Sequence, residues 1–194
     1  DALKRAGASL LAYTRRHALY NFVIDCFGRV FRIVAEGDVA NHAGHSVWAD
    51  ANLVYLGLNE SFFGISFEGQ TNSALPSPTP AQVTAARLLT EMLRSKYSLA
   101  AANCVTHAQV SVNPGNMQLG YHTDWAAGFP FRELGLENGY EQPTAAVAVF
   151  GFGYGPDLLE ALRHKPWPGL VAAEEQLAGD AAALGRTAPA HRRL

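Results

Sequence analysis

Tyr20-Asn21-Phe22-Val23-Ile24-Asp25-Cys26-Phe27-Gly28-Arg29-Val30-Phe31-Arg32-Ile33-Val34 is the stretch whose reading decides the fold. Tyr20–Asp25 and Arg29–Val34 are rich in aromatic and β-branched side chains, which suit a pleated, packed surface. Cys26-Phe27-Gly28 between them is the turn, so the stretch reads as a strand pair. Upstream, Ala2–Arg16 reads as a helix. Leu3, Leu10, Leu11 and Ala12 can share a face, and Arg15 and Arg16 close the C-terminal end, where the helix dipole favours cations. Downstream, Gly37–Trp48 reads as irregular. Phe62–Phe67 is an apolar run expected to be a buried central strand, and Gly69–Pro78 is a Ser/Pro/Gly-rich loop.

Thr79-Pro80-Ala81-Gln82 is a helix start: Thr caps, Pro takes the first helical position and Gln completes a capping box. The helix runs to about Tyr97, with Ala85, Leu88, Leu89 and Met92 as its expected core face. Val105–Val112 reads as a further strand, and Asn113–Phe131 as a long Gly/Pro/aromatic loop of the kind that often carries function. After Tyr140 the character changes. Gln142–Gly155 is apolar and Gly-rich, and Pro156–Arg163 and Leu170–Leu184 read as helices parted by Pro166-Trp167-Pro168-Gly169. The order strand, strand, strand, helix, strand implies an α/β fold with a mixed central sheet flanked by helices. Residues 1–137 then form the main domain and 138–194 a C-terminal helical extension packing on it.

The 194 residues suffice for one full core. Apolar residues make up 48% and charged residues 16%, the balance of an ordinary globular chain. A formal net charge of −2 gives no global basic field for nucleic acid. Cys26 and Cys104 are too few for a disulfide scaffold and leave the redox compartment open. No apolar run approaches the ~20 residues that span a membrane. Nothing in the sequence determines the oligomeric state.

The chemistry concentrates in Asn103–Phe131. His107 stands before the long loop, and His122 and Asp124 sit two apart at its far side. A histidine with a nearby loop carboxylate can form half of a zinc site with an open position. On spacing alone, the commoner explanation of so loose a cluster is a single buried histidine with a hydrogen-bonded partner. Trp125, Phe129 and Phe131 suit recognition of sugar or peptide, or form the loop's own small core. His42 and His45 flank Ala43-Gly44 and either line a pocket or sit exposed on a turn. Tyr20 begins a strand, where its hydroxyl can reach a site or its ring can simply pack. No nucleophile elbow, P-loop, dinucleotide fingerprint or EF-hand is present.

Five segments, in order, resemble the N-acetylmuramoyl-L-alanine amidase family, whose fold is shared with peptidoglycan recognition proteins and phage T7 lysozyme. They are the Tyr20–Val30 hairpin; Ala40-Asn41-His42-Ala43-Gly44-His45-Ser46; Phe63-Gly64-Ile65-Ser66-Phe67-Glu68-Gly69; the Thr79–Tyr97 helix; and His107 followed by His122-Thr123-Asp124 and Phe129-Pro130-Phe131. The resemblance implies the family's fold, Zn2+ as cofactor, and hydrolysis of the amide between N-acetylmuramic acid and L-alanine of peptidoglycan or muropeptides. A non-catalytic cell-wall binding module and a zinc hydrolase of another amide are the other readings.

Carried residue by residue, the resemblance makes His107 and Asp124 zinc ligands. It puts His122 where the family has a lysine that stabilises an oxyanion-like intermediate. Tyr20 matches the tyrosine that orients the attacking water in one branch, and Ser66 occupies the position where the other branch has a glutamate. His42 matches a residue near the peptide cleft, with His45 and Trp125 as further substrate-binding candidates. Trp125 replaces the family's proline after the aspartate. The family's first zinc ligand is implied on a strand upstream of Asp1, with His17, His42 or His45 as alternatives within the chain. The substrate implies a periplasmic or secreted location.

Overall fold

The computed structural model describes residues 2–50, 52–69 and 77–187. In chain order the elements are α1 (Ala2–Arg16), β1 (Phe22–Ile24), β2 (Val30–Arg32), β3 (Val47–Ala49), β4 (Val54–Leu56), β5 (Ile65–Phe67), α2 (Pro80–Tyr97), α3 (His107–Val110), β6 (Val112–Asn113), β7 (Gln118–Leu119), α4 (Ala145–Ala148), β8 (Gly153–Tyr154), α5 (Pro156–Ala161) and α6 (Pro168–Ala183). The fold is mixed α/β, as expected, with its β structure divided into small sheets. The expected loop at 69–78 lies mostly outside the described residues. No described helix is long and apolar enough to cross a membrane. The chain forms two compact units interleaved along the sequence.

The first unit comprises Asp1–Gly44, Gly57–Ala101 and Pro130–Leu136. Its sheet has the order β2-β1-β5, antiparallel on one side of β1 and parallel on the other. Phe22, Val23 and Ile24 are buried on both faces, which explains the unbroken apolar run of β1. The run Phe62–Phe67, expected at the centre, instead contributes β5. This strand is half-buried and paired only with β1 among the described residues, so β1 is the central strand. The β1–β2 turn is built by Asp25. Its carboxylate accepts the backbone N–H groups of Phe27 (3.0 Å) and Arg29 (2.8 Å) and pairs with the Arg29 guanidinium at 2.6 Å. Gly28 closes that turn at φ +80°, and a Cβ there would lie 2.6 Å from the Ala81 carbonyl oxygen.

Helix α2 begins at the expected capping box, with Thr79 and Gln82 bonded reciprocally. Its buried face is Gln82, Ala86, Leu89 and Leu93. The expected face shares only Leu89 with it, and Leu88 and Met92 are exposed. Gln82 accounts for the rotation. Its Nε2 donates to the carbonyls of Ile24 (3.1 Å) and Glu68 (2.7 Å), stitching the helix to the ends of β1 and β5. Apolar periodicity cannot register a glutamine that is buried because its hydrogen bonds are satisfied.

The second unit comprises His45–Leu56, Ala102–Phe129 and Glu137–Leu194. It holds the β3–β4 hairpin and a sheet of order β6-β7-β8. The hairpin falls at the edge of a segment expected to be irregular. Asp50 shapes its turn by accepting the N–H groups of Asn52 and Leu53 at 2.8 and 2.9 Å. These amides, then the Asn103 side chain, hold its carboxyl below the usual range. The core of the unit is α6, whose Leu170, Ala173, Leu177 and Ala181 are almost wholly buried at helical spacing. The Trp167 ring, ahead of α6, stacks on Tyr140 with centroids 4.6 Å apart.

Candidate metal centre

Thr106-His107-Ala108-Gln109 sets the first wall of the site. The strand expected over Val105–Val112 is instead one turn of helix, α3, followed by the two residues of β6. The cause is the Thr106–Gln109 pair, the same spacing that starts α2. Gln109 reaches back so that its Oε1 accepts the Thr106 N–H at 3.0 Å and the Thr106 hydroxyl at 3.3 Å. Its Nε2 donates to the Gly139 carbonyl at 2.8 Å, and the Tyr140 hydroxyl donates to Thr106 Oγ1 at 3.3 Å. Burial pushes the Tyr140 phenol far up, so it acts as a hydroxyl donor throughout the physiological range. His107 is thus the first residue of a turn braced from the C-terminal segment.

The long loop expected over Asn113–Phe131 contains a short hairpin. β6 and β7 pair antiparallel, Val112 with Leu119 and Asn113 with Gln118. Asn113 Oδ1 accepts the Gly115 N–H at 2.8 Å, and Met117 takes a left-handed conformation at φ 56°. The hairpin returns the chain so that Gly120–His122 runs beside Ser111. The buried Ser111 hydroxyl donates to the His122 carbonyl and accepts the His122 N–H, both at 3.1 Å. The Ser111 N–H in turn donates to the His107 carbonyl at 2.9 Å. One serine therefore sets both histidines in register across 15 residues of sequence separation.

The result is a cluster. His107 Nδ1 lies 3.0 Å from Asp124 Oδ1 and 3.1 Å from Oδ2. The His122 ring stacks on His107 with centroids 4.5 Å apart and planes 19° from parallel. One ligand atom from each of the three residues lies within 4.8 Å of the others. His107 Nε2 is buried and meets no hydrogen-bond partner. Burial, then the neighbouring His107 charge, lowers the His122 pKa against the opposing pull of Asp124, so this ring is a neutral donor and acceptor near pH 7. Partial desolvation pushes the half-exposed Asp124 carboxyl up, but the His107 hydrogen bond and charge, with smaller contributions from its own backbone and His122, outweigh it and hold the group ionised below the usual range. Two imidazoles and a carboxylate form a donor set suited to zinc. Donors about 2.1 Å from a tetrahedral ion lie about 3.4 Å apart. The His107–Asp124 pair needs to open only slightly to meet that spacing, so these two residues fit such an ion, with a His122 ring nitrogen within 4.8 Å of both.

The other candidates fall as follows. Trp125 follows Asp124 at φ 61°, half-buried, with its ring edge-on to Phe129 at 5.5 Å. The Trp125-to-Phe129 loop is held from below by Trp167, whose Nε1 donates to the Ala126 carbonyl at 2.7 Å. His45 is exposed in the same unit, where its carbonyl accepts the Val112 N–H at 2.8 Å, and it is outside the donor cluster. Tyr20 and His42 belong to the first unit. Tyr20 is half-buried at φ 58° and donates its N–H to the Asn41 carbonyl. His42 donates its N–H to Asn59 Oδ1 at 2.9 Å, with Nδ1 2.9 Å from the Ala40 carbonyl. A Cβ on Gly64 would come within 2.5 Å of the His42 ring, which explains the glycine of that segment. Sequence reading misses Ser111, Gln109, Tyr140 and Trp167. Only Thr106-x-x-Gln109 leaves a usable signal.

The fold matches AmpDh3 of Pseudomonas aeruginosa with a TM-score of 0.54 and 22% identity, over 88% of this chain and 68% of that one, a likeness of fold. AmiD of Escherichia coli, solved with anhydro-N-acetylmuramic acid-L-Ala-D-γ-Glu-L-Lys, aligns with a TM-score of 0.49 and 25% identity over 66% of this chain. The alignment spans 51% of AmiD, about half its length. No curated protein matches the chain. The family model described as N-acetylmuramoyl-L-alanine amidase matches residues 3–124, well over half of the 194, and the chain therefore belongs to the N-acetylmuramoyl-L-alanine amidase family.

Proposed function

We propose that this chain is a metal-dependent peptidoglycan amidase that hydrolyses the amide between N-acetylmuramic acid and L-alanine of the stem peptide. The observation that carries the reading is the His107–Asp124 pair, with the His122 ring stacked beside it, at the end of a segment that matches the amidase family. Membership of that family supports the muramoyl-L-alanine amide as the bond cut. Such a substrate lies outside the cytoplasm, in keeping with a periplasmic or secreted role.

His107 and Asp124 are the residues that would hold zinc. When bound, the ion polarises the scissile carbonyl and lowers the pKa of a coordinated water. The chain's own residues supply the rest. Ser111 fixes the His122 backbone through its hydroxyl and donates its N–H to the His107 carbonyl. Trp125 and Phe129 offer aromatic edges beside Asp124 for the sugar or peptide. Tyr20 and His42 keep their water-orienting and substrate-binding roles by resemblance alone. Residues 138–194 act as an extension that braces the site, through Gly139, Tyr140 and Trp167.

The test is incubation of the zinc-loaded chain with a defined anhydro-muramyl tripeptide, with mass spectrometry of the products. Release of the free peptide, abolished by a chelator and restored by zinc, is expected. Binding of the muropeptide without turnover would place the chain among non-catalytic wall-binding modules and overturn the proposal.

A further inference from the structure

We propose that His122 is itself a metal ligand, so that His107, His122 and Asp124 act as a three-donor set within one short segment. The inference rests on the metal-dependent reading above and goes beyond it, because the family resemblance gives this position to a lysine with a different task. A protonated lysine is a hydrated point charge with three donors and no acceptor. Imidazole carries a lone pair suited to zinc. By that resemblance, a histidine here gives the position a lone pair that a protonated lysine lacks.

Four features support this use. The ligand atoms of all three residues lie within 4.8 Å of one another, so His122 is already beside the other two donors. The His122 backbone is pinned on both its N–H and its C=O by Ser111, whereas the residue itself is exposed. The ring can turn on a fixed base without disturbing the core, which limits the ordering cost of ligation. Two histidines and one carboxylate also match the composition of catalytic zinc sites, which hold three protein ligands and leave a fourth position for water. The Asp124 side chain is 54% exposed, so the cluster has an open side for that water and for substrate.

The experiment is titration of the full chain with Co2+, read by its visible absorption, with Zn2+ competition and metal analysis for stoichiometry. The variants are His122→Ala, His122→Lys, His107→Ala and Asp124→Ala, each checked by circular dichroism for retained fold. The wild-type chain is expected to bind one equivalent. Both His122 variants are expected to lose affinity by roughly 100-fold or more, beyond the cost of losing a supporting contact around a metal, with a weaker and shifted cobalt spectrum. Wild-type affinity and spectrum in both His122 variants, together with loss in His107→Ala and Asp124→Ala, would overturn the inference and leave the metal-dependent amidase standing. A wild-type chain that takes up neither metal would overturn both.

Discussion

Replacing Ser111 with alanine tests the idea that one hydroxyl registers the two halves of the candidate site. Ser111 is fully buried at 0% exposure. Its backbone N–H bonds the His107 carbonyl at 2.9 Å and its carbonyl accepts the Gly120 N–H at 2.9 Å, and alanine keeps both. Alanine removes the two hydroxyl bonds to His122, each 3.1 Å. A typical hydrogen bond contributes about 0.5–1.5 kcal/mol net, and a partner left buried and unsatisfied costs about 1–3 kcal/mol. His122 is exposed, so water can reach part of its peptide groups, and the lower end of that range applies. The sum is about 2 kcal/mol. In a chain of this size each kcal/mol moves Tm by about 2–4 °C. Calorimetry should then show a fall of about 4–8 °C, confined to the second unit if the units melt separately. Metal affinity should fall as well, because His122 loses its register with His107. A Ser111→Ala chain that melts within about 1 °C of the parent and binds metal equally well would refute the reasoning.

Other expectations follow from the same kind of accounting. Gln82→Ala removes the stitches to the Ile24 and Glu68 carbonyls and the bond from the Thr79 N–H. The Ile24 carbonyl keeps the Glu68 N–H at 2.8 Å, so two groups rather than three lose their partner, and urea denaturation should show a loss of about 3 kcal/mol. Trp167→Phe preserves an aromatic ring for the stack on Tyr140 but removes the bond to the Ala126 carbonyl; a loss of about 1–2 kcal/mol is expected in the same assay, and an unchanged midpoint would show that Ala126 is held by other means. NMR titration of the His122 ring should give a midpoint below the ordinary histidine value of about 6.5, because burial and His107 both oppose its protonation. With the folded pKa depressed, the stability this group contributes is whole above the unfolded value and is lost as pH falls toward the folded one. His107→Ala should raise the midpoint and Asp124→Asn should lower it further; a midpoint at or above about 6.5 in the parent would contradict the described surroundings.

What can be read from residues alone follows from which interactions leave a periodic trace. The β1–β2 pair is legible from its aromatic and β-branched content, and α1, α2 and α6 from helix-forming composition sustained over 15 residues or more. The Asp25 turn and the Thr79–Gln82 start add local chemistry that points the same way. The face of α2 is not legible, because periodicity counts apolar residues whereas the helix is oriented by a polar one, Gln82. Phe62–Phe67 has the sequence of a central strand because four of its six residues are Phe or Ile. Only Ile65–Phe67 pairs, and it pairs on one side among the described residues. Sequence cannot tell a run that is buried between strands from one buried by its surroundings.

The site shows the same division more sharply. Thr79-x-x-Gln82 and Thr106-x-x-Gln109 are one signal, but only the first precedes a long run with a 3.6-residue period. The second opens a helix of four residues, too short to display a period at all, inside a β-branched sequence that reads as strand. His107, His122 and Asp124 form only a loose cluster in sequence because the loop between them shows no regular period. Its Asn113-Pro114-Gly115-Asn116 run nevertheless carries turn chemistry, and a hairpin tip at that run is enough to return His122 to the side of Ser111. What no pattern of residue types can supply is the hydroxyl of Ser111, which binds both peptide groups of His122. A serine in a sequence states only that one donor and two acceptor sites exist, and the hairpin decides which backbone they meet. The donor set of this site therefore comes from three residues whose identities are visible in the sequence, and its geometry from a fourth whose role is not.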